Sequence, residues 1–200
     1  VVALAKPRGE IMPKSTFVLG VDLARMGEDS TVFVVLEKPF DDNDVYVAFI
    51  KEVAHNLLNE AADYIKFLDT TFHFEKIYID TTGLGSGVFD FLTADQSFNY
   101  RCVDCMFGSN LDGKPFKEVM FSNLKMLMEK TAKGQSGGLH LPNHKKLLYQ
   151  LIDLRYEIAN NGRVKIHHSD RGHDDLADAL ALACLYFKPT EQTQGCWDVA

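Results

Sequence analysis

The hydrophobic pattern changes period along the chain. "FVLGVDLA" (Phe17–Ala24) is a short apolar run and predicts a buried strand. After the polar turn Arg25–Ser30, "TVFVVLEK" (Thr31–Lys38) is β-branched and aromatic and predicts a second strand. "VYVAFIKEVA" (Val45–Ala54), beyond the turn Pro39–Asp44, predicts a third, and turns this short favour antiparallel hairpins. Leu58, Ala61, Ala62, Ile65 and Leu68 then follow helical spacing. "KIYID" (Lys76–Asp80) returns to strand, Val88–Leu92 suggests a short helix, and Tyr100–Phe107 another strand. Phe116–Gly134 predicts an amphipathic helix with a glycine stop. "GGLHLP" predicts a short edge strand that Pro142 ends. Residues 143–162 predict a helix with an Asn cap and a Gly stop, and "RVKIHH" (Arg163–His168) a last strand. "DDLADALALACLYF" (Asp174–Phe187) predicts a helix apolar almost all round, hence buried, shut off by Pro189.

Three strands in a meander followed by alternating helices and strands predict an α/β domain over residues 16–188. The architecture is a mixed β-sheet with helices on both faces. This order resembles the ribonuclease H-like fold, in which the first strand is central and the fourth lies parallel beside it. Residues 1–15 and 189–200 read as linker or tail.

Composition narrows the picture. At 200 residues the chain can bury one sizeable core. No apolar run reaches the roughly 18 residues that span a membrane, and the first residues lack the order of a signal peptide. Four cysteines at scattered spacing give no disulfide framework, so a reducing, intracellular setting is expected. The net charge of −7 argues against a simple nucleic-acid binder. The first hundred residues carry the acidic excess, part of which a bound divalent ion would offset.

Three acidic positions stand out. Asp22 sits in an apolar strand on the face of Val18 and Gly20, where a carboxylate is costly unless paired or bound to metal. It could equally end the strand and cap the turn. Asp80 closes a strand just before Gly83-Leu84-Gly85-Ser86-Gly87. Those glycines match neither G-x-G-x-x-G nor a Walker loop, and actin-like ATPases need further phosphate loops. They are therefore read as a sharp turn that permits close approach to Asp80. In "HDDLADA", Asp175 and Asp178 share one helix face, with Asp174 beside them in the first turn. Acids are common at helix starts, but this helix is buried, so its acidic end points at protein or a cleft. Carboxylates converging there are hard ligands suited to Mg²⁺ or Mn²⁺. Two ions about 4 Å apart can hold both oxygens of a phosphodiester displacement in line.

Taken together, "GVDLARMGEDSTVFVV", "YIDTTGLGSGVFDFL", "GGLHLPNHKKLLYQL" and "HDDLADALALACLYF" resemble the nuclease domain of the large terminase subunit of tailed bacteriophages. The resemblance covers most of Phe17–Phe187. It implies metal-dependent endonuclease cleavage of concatemeric double-stranded DNA during genome packaging in the host cytoplasm. It implies Asp22, Asp80 and Asp178 as catalytic residues, with Asp174 and Asp175 as further metal ligands, and leaves open which ion each holds and the role of Asp29. The implied cofactor is two ions of Mg²⁺ or Mn²⁺. The implied partners are DNA, a packaging ATPase domain, the small terminase subunit and the portal, with no membrane. The chain lacks a Walker motif, so residues 1–15 would be the remnant of an interdomain linker. A resolvase or integrase of the same fold, and a docking module inactive in isolation, are the competing readings.

Lys114, Lys117, Lys145, Lys146, Arg155, Arg163, Lys165 and Arg171 make the second half relatively basic and are candidate phosphate contacts, within or beside the loop Phe107–Pro115 in the case of the first two. Any of them could equally lie on a solvated face. Cys102 and Cys105 spell C-x-x-C, but on a strand that spacing sends them to opposite faces, which suits core packing better than zinc. His167 and His168 close the last strand, near the acids or in solvent.

Overall fold

A computed structural model describes residues 15–23, 30–54, 58–83, 85–111, 113–158, 164–167 and 174–187. The meander forms as expected: β1 (Thr16–Asp22), β2 (Ser30–Lys38) and β3 (Val45–Ala54) pair antiparallel in sequence. Helix α1 (Leu58–Phe72) leads to β4 (Lys76–Asp80), which lies parallel to β1. Next come α2 (Gly85–Thr93), the single turn α3 (Gln96–Asn99), and β5 (Cys102–Cys105) parallel to β4. A two-residue-per-strand hairpin, β6 (Asn110–Leu111) and β7 (Lys114–Pro115), precedes α4 (Phe116–Ala132). The edge strand β8 (Leu139–His140) adds parallel to β3. The main sheet therefore runs β5-β4-β1-β2-β3-β8, with β1 central and the fourth strand beside it.

Strand alternation divides the interior into two cores. Phe17, Leu19 and Val21 of β1 and Phe33 and Val35 of β2 face Ala61, Ala62, Ile65 and Leu68 of α1 and Val88 and Leu92 of α2. Val18 of β1, with Val32, Val34 and Leu36 of β2, faces α4 and the last helix, α6 (Asp175–Cys184). Helices thus cover both faces, which explains why β1 and β2 read as continuous apolar runs. Every residue from Leu176 to Cys184 is buried, as the all-round apolar sequence of α6 demands. The C-x-x-C pair splits across the sheet: Cys102 lies in one core and Cys105 in the other, both as free thiols.

One expected element is corrected. The helix expected over 143–162 stops early: α5 (Lys145–Asp153) is followed by β9 (Arg155–Ile158), which pairs antiparallel with β10 (Val164–His167). These form a separate two-stranded hairpin, so the expected last strand does not join the main sheet. Leu154 leaves the helix with φ −58° and ψ 129°, an extended rather than a helical ψ. "LRYEI" fits both periods over so short a run, and the cross-strand partner decides between them. The cap of α5 is His144, whose Nδ1 accepts from the Leu147 N–H at 3.2 Å, and not the neighbouring Asn143. Helix α3, capped by Asp95, was not anticipated by its four-residue pattern.

Among the described residues, no helix is long and apolar enough to cross a membrane. The expected linker and tail, Asp29, Arg163, His168 and Arg171 lie outside the described residues, apart from Ser15 at the linker boundary.

Candidate metal centre

Asp22 and Asp80 are the last residues of two adjacent parallel strands. The register pairs Gly20 with Tyr78 and Val21 with Ile79, so the two acids follow the last paired residues side by side. Alternation puts Asp22 on the face of Val18, and Asp80 on the face of Tyr78, which packs against the α6-side core. Both carboxylates therefore lie on the α6 side of the sheet at its carboxyl edge. Each is buried, at 9% and 8% exposure.

Gly20 brings α6 to them. A β-carbon at this position would stand 2.7 Å from the Ala183 backbone nitrogen and closer still to the Ala179 carbonyl oxygen. Only glycine lets the helix backbone rest on β1 at this distance. Asp178, one residue before Ala179, is consequently buried at 3% exposure. Its Oδ2 accepts from Lys117 Nζ at 2.8 Å, while Oδ1 is buried without a hydrogen-bond partner among the described residues.

Two side chains that sequence reasoning missed hold α6 in place. Gln150 Oε1 accepts from the Ala177 N–H at 3.0 Å, satisfying one of the donors that a helix start leaves open. Asp174 occupies the N-cap position but makes no side-chain cap, because its Oδ2 accepts from Lys117 Nζ at 3.1 Å. At the other end, Asn123 Nδ2 donates to the Cys184 carbonyl at 2.6 Å. Nothing in the sequence singles out Gln150 or Asn123 beyond a polar residue on an otherwise apolar helix face.

The glycine segment serves Asp80. The Asp80 Oδ1 accepts from the Thr82 N–H at 2.9 Å, and Gly83 takes the left-handed turn with φ 78°. Gly85 opens α2 against the Asp80 backbone, where a β-carbon would stand 2.9 Å from the carbonyl carbon and closer to its oxygen. Glycine is thus required by the approach of α2 to the strand end.

The electrostatics tie the acids together. Burial pushes the Asp22 carboxyl well above its ordinary value, and the charges of Asp178, Asp80 and Asp175 push the same way against Lys117. Burial also raises Asp178 to about 7; Lys117 opposes this, and Asp174 and Asp80 reinforce it. Asp175 is half-buried at the first turn of α6. Such a set of carboxylates, one with an orphaned buried oxygen, fits a hard divalent cation. Among the described residues no three His, Cys, Asp or Glu side chains are grouped closely enough to hold an ion as they stand.

The other sequence candidates scatter. Lys114 and Lys145 are exposed on β7 and α5. Lys146 pairs with Glu52, and Arg155 lies 3.8 Å from Asp153. Lys117 is the exception, a basic residue inside the acidic group. Lys165 and His167 fall on β10, away from the main sheet.

No family model matches the chain. The large terminase subunit of Thermus phage G20c is 29% identical over 171 residues, which are 86% of this chain and 32% of that protein. The large terminase subunit of Thermus virus P23-45 is 28% identical over the same length. The G20c large terminase nuclease, crystallised with bound magnesium, superposes with a TM-score of 0.70 at 25% identity over 92% of each chain. The chain is similar in sequence and in fold to phage large-terminase nuclease domains. It spans about a third of the length of the curated terminases it matches, and 92% of the G20c terminase nuclease chain. The ribonuclease H-like fold expected from the strand order is therefore the terminase nuclease fold.

Proposed function

We propose that this domain is a metal-dependent endonuclease that hydrolyses phosphodiesters of double-stranded DNA, and that it works as the nuclease of a genome-packaging terminase. The observation that supports this most is the placement of the buried Asp22 and Asp80 at the carboxyl edge of two adjacent parallel strands, within electrostatic reach of the buried Asp178, one of whose oxygens has no hydrogen-bond partner among the described residues. The relatives agree: the G20c nuclease has been crystallised with magnesium and with cobalt.

Asp22, Asp80 and Asp178 would hold one or two divalent ions, with Asp174 and Asp175 at the rim. A bound Mg²⁺ or Mn²⁺ would supply Lewis acidity that lowers the pKa of the attacking water and stabilises the leaving oxygen. The chain's own contribution is to keep these carboxylates close together and largely dry. Gly20 fixes the depth of α6, Gln150 its first turn, and the Asp80–Thr82 bond the rotamer of Asp80. Lys114, Lys145, Lys146, Arg163 and Arg171 would contact phosphates without reading sequence. The ATPase region of a full-length terminase, the small subunit and the portal would be the partners, in the cytoplasm of an infected host.

The test is nicking of supercoiled plasmid by this chain with Mn²⁺, with EDTA and Asp178→Asn as controls. Metal-dependent nicking that the variant lacks is expected. A chain that binds Mn²⁺ but never nicks favours the docking module, and cleavage confined to branched or sequence-defined DNA favours a resolvase or integrase.

A further inference from the structure

Lys117 stands in the first turn of α4 with its ammonium 2.8 Å from Asp178 and 3.1 Å from Asp174. The ammonium also faces two aromatic rings, its nitrogen being 4.9 Å from the Phe107 centroid and 5.9 Å from that of Phe121. The same charge also acts on Asp22. One lysine thus serves several of the buried carboxylates that the proposed function assigns to metal, and it is held there from an element that contributes no acid of its own to the group.

We propose that Lys117 is the resident counter-cation of the metal centre, a positioning residue that stabilises the acids while no metal is bound and is displaced from Asp178 by the first divalent ion. This rests on the metal-centre reading above. The physical reason is charge accounting at a buried site. Asp22, Asp80 and Asp178 cannot all ionise at low exposure without a cation nearby. The ammonium supplies one positive charge to Asp178 Oδ2 and leaves Oδ1 without a partner among the described residues. A divalent ion supplies more charge and can engage that remaining oxygen. Ammonium and ion cannot both sit close against the same carboxylate without repulsion. The Phe107 and Phe121 rings beside the ammonium give it a place to stay at the cleft after it lets go of Asp178.

Two measurements test this. In the wild type, the ammonium signal of Lys117 is followed by heteronuclear NMR as Mg²⁺ is added, with the signal assigned by its absence in Lys117→Arg. A large shift or loss of protection that saturates with Mg²⁺ is expected. An ammonium signal that stays put at saturating Mg²⁺ overturns the proposal. In the second, Lys117→Met is compared with wild type and Lys117→Arg by calorimetric titration with Mn²⁺ and by thermal melting. Lys117→Met should bind Mn²⁺ about tenfold more tightly, the scale on which removing one nearby charge shifts a buried carboxylate. It should melt lower than wild type in EDTA and close that gap in Mn²⁺, while Lys117→Arg stays near wild type in both. A stability loss equal with and without Mn²⁺, or unchanged or weaker Mn²⁺ affinity, marks an ordinary structural ion pair and overturns the proposal. If wild type and variants alike take up no Mn²⁺, the metal-centre reading fails and the inference with it.

Discussion

Gly20 of β1 and Ala183 of α6 touch backbone to backbone, with room for a hydrogen and none for a methyl group. The contact sets how far α6 stands from the sheet, and so how far Asp178 stands from Asp22. One residue without a side chain thereby controls the spacing of two carboxylates borne by other positions. Substituting Gly20→Ala should force the helix outward and cost about 1–3 kcal/mol, the range for overpacking a filled core. Urea melts in EDTA should show that loss. Mn²⁺ binding should weaken in the same variant although every acid remains. A variant that keeps wild-type metal affinity would separate the helix contact from the metal centre.

Asp80→Asn should behave in the opposite way. The amide oxygen can still accept from the Thr82 N–H, so the strand end keeps its hydrogen bond. One charge leaves a group in which Asp80 raises both Asp22 and Asp178. The melting temperature in metal-free buffer should therefore rise, while plasmid nicking disappears. Near-normal nicking with an unchanged melting temperature would remove Asp80 from the site.

Stability without metal should fall as pH rises. Asp178 titrates at about 7 in the folded chain against an ordinary 3.8. Between these values the folded chain holds a proton that the unfolded chain has released, so each step up in pH favours unfolding. The loss should level off above about 7 for this group, and Asp22, shifted the same way, adds to it. Urea midpoints across that range in EDTA should slope downward, and Asp178→Asn should flatten the slope. Saturating Mg²⁺ should restore stability at the alkaline end, because an ion that binds only the folded state stabilises by mass action. A midpoint that climbs with pH in EDTA would contradict the buried placement of these carboxyls.

DNA binding should be weak without metal. The net charge of −7 opposes a polyanion, and Lys117 is committed to Asp174 and Asp178. Few phosphates can then be neutralised, which predicts a shallow salt dependence. Fluorescence anisotropy of Asp178→Asn with Ca²⁺ should show tighter binding than in EDTA. Nanomolar, sequence-selective binding in EDTA would point to a resolvase or integrase.

Much of this was legible along the chain. The apolar runs of β1 to β3, a carboxylate within the first of them at Asp22, the strand-end position of Asp80, and the all-round apolar α6 with its leading acids are local patterns. Burial makes each local pattern informative, since a carboxylate in an apolar run costs too much to be accidental. The resemblance carried by those same segments agrees with the relatives and their solved folds. Three things were settled only in space. The hairpin β9–β10 exists because Arg155–Ile158 finds a partner in Val164–His167, and a run that fits two periods cannot announce which neighbour it will meet. Gln150 and Asn123 matter because helix α6 ends where they are, and a hydrogen bond across 27 or 61 residues leaves no trace in local spacing. Lys117 reads in sequence as one of several basic residues on a solvated face or a DNA contact. The packing of α4 against α6 turned it into the ion-pair partner of two acids far along the chain, because charge neutrality inside a fold is a condition on neighbours in space and not on neighbours in sequence.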